Sequence, residues 1–118
     1  MVKLTVDEAY AFDYYSILHL KHNNGFLPLE ILQITEKDLI ENLGTDLTNL
    51  ILNSIEYKNI YEANKLTFDA VDKAKDDSVL ASYVDKCNYK RMLAKKELQL
   101  KFFNNDLSET KIGYERHK

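Results

Sequence analysis

One cysteine, one proline, three glycines and no tryptophan occur in 118 residues. The lone Cys87 excludes a disulfide within the chain. The few glycines and prolines argue against sandwiches and barrels, which need many tight turns. No apolar run approaches the roughly 20 residues of a membrane span. Met1 to Val6 lack the apolar stretch of a secretion signal. Together these absences predict a protein of a reducing, cytoplasmic compartment with no membrane segment. What is present is the mixture of a soluble globular domain, with 45% hydrophobic and 30% charged residues. The length suits one helical domain over 1–118, large enough for a single core.

Net charge is −3, but its distribution is uneven. Glu30 to Asp77 hold eleven acids and five lysines, whereas Asp85 to Lys101 hold six bases and two acids. A basic helix lying beside acidic ones accounts for this. Aromatics are not interleaved with the bases as single-strand binders require, so nucleic acid is not an expected partner.

Helical punctuation runs the length of the chain. Thr5 and Glu8 have the spacing of a capping box, which predicts a helix to about His22. Ala9, Phe12, Ile17 and Leu20 supply its stripe, and Gly25 suits the position after it. Pro28 opens a second helix that Gly44 closes. From Asp46 to about Lys75 one long helix is expected, with Leu50, Ile51, Tyr57, Tyr61, Phe68 and Val71 inward and Asn64 in register with them. Asp76 to Ser78 break it. A last long helix carries Leu80, Val84, Cys87, Arg91, Ala94, Leu98 and Phe102 on one face and ends at Asn104 to Asp106. The fold class is therefore all-α: an antiparallel long helical hairpin, two N-terminal helices packed on it, and a short docked tail from Leu107.

One polar row interrupts that last apolar face. Asn88, Arg91 and Lys95 stand at i, i+3 and i+7. An arginine there needs an acid, since burying an unpaired charge costs several kcal/mol. Asp13 and Glu109 are the candidate acids. In one account, Asp13, Glu109, Lys111 and Tyr114 join the row in a structural network that fixes helix register and pins the tail. In the other, Lys21, Asn64, Asn88, Arg91 and Lys95 converge on a phosphate or carboxylate.

These same positions carry a resemblance. Asp13, Ile17, Leu18 and Lys21 resemble the opening signature of a family of short, uncharacterised, all-helical proteins from bacteria and some of their viruses. Asn64 to Asp72 resemble its long-helix motif, and Asn88, Arg91 and Lys95 resemble its Asn-Asp-x-Arg-x-x-x-Lys element. Glu109, Lys111 and Tyr114 resemble its close. Tyr14 stands where the family has lysine, and Gly113 adds a residue before the closing tyrosine. The resemblance implies a helical fold, with host cytoplasm as the setting if the protein is viral. It implies no activity.

Two metal patterns are weaker. Asp38 with Glu41, and Asp69 with Asp72, imitate the paired acids with which helical nucleotide pyrophosphohydrolases hold magnesium. A solvated acidic face is the better reading of them. His19 and His22 are also three apart, with no third ligand placed by sequence. No cofactor is expected. Eight tyrosines and five phenylalanines include adjacent pairs such as Tyr14 and Tyr15, which cannot share one helix face. Some must reach the rim, which suggests a homodimer. A non-catalytic interaction or adaptor module is the expected function. The alternatives are an anion-binding module and a magnesium-dependent nucleotide pyrophosphohydrolase-like enzyme.

Overall fold

Asp7 starts the first helix. Its carboxylate accepts the N–H of Tyr10 at 2.7 Å, so the cap lies two residues later than Thr5. The capping box fails because Glu8 is engaged elsewhere: its carboxylate accepts from Gln99 of the last helix. A computed structural model describes residues 2, 4–75 and 80–104. Within them lie five helices: α1 (Glu8–Asn23), α2 (Leu29–Leu43), α3 (Thr45–Leu52), α4 (Ile55–Lys75) and α5 (Ala81–Phe103). Among the described residues there is no strand.

α4 and α5 form the antiparallel hairpin. The ion pair of Lys101 with Glu56, at 3.8 Å, joins the end of one to the start of the other. α1 packs on both arms and on α2, so it lies at the centre rather than on the outside. That position explains its composition. Ala9, Phe12, Tyr15, Leu18 and Leu20 are buried around much of its circumference, and no single apolar stripe marks it. Phe12, Ile51, Ile60 and Leu98 are sealed at the middle of the core.

The long helix expected from Asp46 is in fact two. Ser54 ends α3 by donating its hydroxyl to the carbonyl of Ile51, and starts α4 by accepting the N–H of Tyr57. One side chain thus satisfies a stranded acceptor and a stranded donor, which makes a bend there inexpensive. The inward face of α4 is also shifted by a residue. Ile60, Thr67 and Ala70 are buried, whereas Phe68 is 37% exposed; in α3, Leu50 is 61% exposed. The break expected at Asp76 to Ser78 and the tail from Leu107 lie outside the described residues.

Gly44 sits between α2 and α3 with φ +87° and ψ 157°, a region that residues with a Cβ avoid. A Cβ there would meet no neighbour within 4 Å, so its cost is backbone strain alone. Gly44→Ala is expected to lower stability by about 1–2 kcal/mol in urea unfolding. An unchanged midpoint would mean that the turn relaxes freely.

Candidate functional site

The polar row on α5 faces α1. Asp13 is 5% exposed and takes a partner on each carboxylate oxygen. Its Oδ1 accepts from Asn64 Nδ2 at 2.8 Å. Its Oδ2 accepts from Arg91 Nη2 at 3.0 Å and lies 3.8 Å from Lys95 Nζ. Asn64, itself 2% exposed, gives its other amide proton to Ser16 Oγ at 2.6 Å. The Ser16 hydroxyl in turn donates to the carbonyl of Asp13. One acid thereby ties α1 to α4 and to α5. Asn88 stands at the rim, where its Oδ1 receives Arg91 Nη1 at 3.5 Å, a weak bond.

Asp13, Asn64, Asn88, Arg91 and Lys95 are therefore gathered, and Lys21 is not. It lies two turns further along α1 and is exposed. Glu109, Lys111 and Tyr114 lie outside the described residues. Two members escaped the sequence reading. Ser16 signals nothing by its type or spacing. Gln99 is fully buried in a second polar contact, where Oε1 accepts the N–H of Ala9 and Nε2 donates to Glu8.

The four acids of the magnesium pattern are all exposed. Among the described residues no three His, Cys, Asp or Glu side chains stand close enough to hold an ion. Asp38, Glu41, Asp69 and Asp72 do not assemble a hydrolase clamp. The two histidines serve separate partners. His22 Nδ1 donates to the carbonyl of Leu27 at 2.9 Å, and His19 Nδ1 lies 3.2 Å from the Tyr57 hydroxyl. Cys87 is free and buried.

Around His19 the aromatics converge. Its ring stacks on Tyr57 at 15° and lies 5.1 Å from Tyr61 and 6.0 Å from Tyr15, centre to centre. Burial first, and then the Glu36 charge, push the Tyr15 hydroxyl up to about 12. Tyr57 is raised further, chiefly by burial. Burial lowers the His19 pKa below its ordinary 6.5, with His22 adding to the fall and Glu36 opposing it. These shifts leave Tyr15, His19 and Tyr57 neutral at physiological pH. A histidine that titrates lower when folded binds fewer protons than the unfolded chain just below pH 6.5. Stability is therefore full above that value and falls as pH drops through it. Melting temperatures between about pH 7 and 5 should fall for the protein and fall less steeply for His19→Gln. Parallel curves would remove His19 as the cause.

No helix among the described residues is long and apolar enough to cross a membrane. No model of a protein family, no curated protein and no solved structure matches the chain.

Proposed function

We propose that the chain is a non-catalytic interaction module, a helical scaffold that meets protein partners, a second copy among them, on its outer helix faces. The observation that carries this is the commitment of Asp13. Both of its oxygens are engaged by Asn64, Arg91 and Lys95 of the same chain. The charges that would serve an anion or a reaction are turned to holding three helices in register. Meanwhile large apolar side chains face outward, such as Phe26 at 82% and Tyr89 at 58% exposure. Where such side chains lie side by side, the patch they form marks a contact site. The likeness at Asp13, Asn64, Arg91 and Lys95 supports placement among the short helical proteins of bacteria and their viruses. The unpaired thiol of Cys87 fits work in the cytoplasm, or the host cytoplasm if the protein is viral.

An anion-binding module is the second reading, favoured by one observation. The Arg91 side chain retains 26% exposure, and its buried Nε has no hydrogen-bond partner. Thermal unfolding with inorganic phosphate or pyrophosphate separates the two. The interaction module predicts no change in melting temperature with either anion, and a lower one for Arg91→Ala in its absence. A rise with anion that vanishes in Arg91→Ala would transfer the assignment to the second reading.

A further inference from the structure

Two histidines stand one turn apart on α1, and their hydrogen bonds call for protons on different nitrogens. The Leu27 carbonyl can only accept, so His22 carries its proton on Nδ1. His19 Nδ1 meets a hydroxyl instead, that of Tyr57 at 3.2 Å. Tyr57 is 5% exposed, and among the described residues no other side chain bonds its hydroxyl. A buried O–H needs an acceptor. Neutral His19 supplies one when its own proton is on Nε2, which leaves a lone pair on Nδ1.

A proton added at Nδ1 removes that acceptor. Both ring nitrogens then donate, and the Tyr57 O–H is stranded against an N–H. His22 keeps its bond when protonated, since its Nδ1 donates already. We propose that His19 and Tyr57 form a pH-sensitive latch between α1 and α4, closed while Nδ1 accepts the tyrosine proton and opened when the ring takes a second proton. The latch holds one end of the seam between these helices. One turn beyond it, Asn23 Nδ2 donates to the Tyr61 hydroxyl at 2.9 Å. The other end is tied by Asp13 and Ser16 to Asn64, through contacts that contain no histidine. Tyr57 also donates its N–H to Ser54 Oγ at 3.1 Å, so the latch joins α1 to the bend that starts α4. Opening therefore loosens the last two turns of α1 and leaves its first half in place. The groups facing the His19 ring are Tyr15 and His22 of α1, Glu36 of α2, and Tyr57 and Tyr61 of α4. Glu36 favours a charge on the ring and His22 opposes it. Among the described residues neither bonds the Tyr57 hydroxyl, so neither replaces the lost acceptor.

Nitrogen NMR of the intact chain reads the tautomers directly. At neutral pH His19 should carry its proton on Nε2 and His22 on Nδ1. A proton on Nδ1 of His19 overturns the proposal. Tyr57→Phe keeps the ring but removes the hydroxyl that protonation strands, so His19 should then titrate at higher pH. If burial alone governs His19, its midpoint stays where it was or falls, and the latch is overturned. Hydrogen exchange, corrected for its intrinsic pH dependence, locates the opening. Between about pH 7 and 5 the opening of the amides of His19 to Asn23 should grow about tenfold more than that of Asp13 to Ser16. In Tyr57→Phe that difference should shrink. An equal rise along the whole of α1 overturns the proposal, because the helix then comes away as one piece. Circular dichroism checks that Tyr57→Phe is folded. Where it is not, the tautomer and the exchange pattern of the parent chain decide.

Discussion

Asp13→Ala is expected to destabilise the protein by about 3 kcal/mol, the lower end for removing one partner of a buried ion pair. The lower end applies because Arg91 and Lys95 keep 26% and 17% exposure and regain some water. Asn64 does not. It is 2% exposed, and of its two donated hydrogen bonds only the one to Ser16 would remain. A stranded buried donor costs about 1–3 kcal/mol, so part of the loss belongs to Asn64 rather than to the ion pair. Asp13→Asn should cost less, because one oxygen stays, either for Asn64 or for Arg91 and Lys95. The decisive comparison is a double-mutant cycle in urea. With Asp13 already removed, Arg91→Met should cost much less than in the parent, with a coupling of about 1–2 kcal/mol. Strict additivity would show that Arg91 gains nothing from Asp13.

Such a cluster was legible in the sequence because charge at a helical apolar face is conspicuous. Arg91 falls in register with Cys87, Ala94 and Leu98, and Asp13 adjoins Phe12, so each demands an opposite charge. Asn64 showed itself in the same way. Lys21 was grouped with them as a further cation, but two turns of α1 carry it away from Asp13. Ser16 and Gln99 stayed hidden, since neutral polar residues are as common outside as at the edge of a core.

The elements follow the same logic. Two long arms were readable because long stripes define helices well. The inward face of α4 was not, because that helix has two neighbours. Tyr57, Tyr61 and Asn64 reach α1, while its most extensive contact is with α5. A single stripe cannot describe two buried faces, and the count settled on Phe68 and Val71 where Thr67 and Ala70 are buried. α1 presents the same difficulty from the centre of the bundle. The bend before α4 rests on one hydroxyl, Ser54, whose identity alone does not distinguish a cap from an ordinary helical serine.

Gln99 leads to the second large effect. The first turn of α1 has N–H groups with no partner inside the helix. Asp7 takes the N–H of Tyr10, but that of Ala9 is buried and turns to Gln99 Oε1 at 2.7 Å. A side chain from the far end of the sequence therefore caps the helix on which the core is built. Gln99→Leu keeps the volume but strands the N–H of Ala9 and releases Glu8. It should cost about 2–3 kcal/mol, the penalty of a buried donor left unmade plus a modest bond to a charged group. Gln99→Glu separates the two functions. It still offers an oxygen to Ala9, but sets a second carboxylate against Glu8. Its loss should therefore shrink on acidification toward the range where carboxylates protonate, about pH 4, whereas that of Gln99→Leu should not. Hydrogen exchange at the Ala9 amide gives the local reading. Protection should fall in Gln99→Leu at that amide before it falls in α4. Uniform loss across the helices would mean that Gln99 holds the whole bundle together rather than the start of α1.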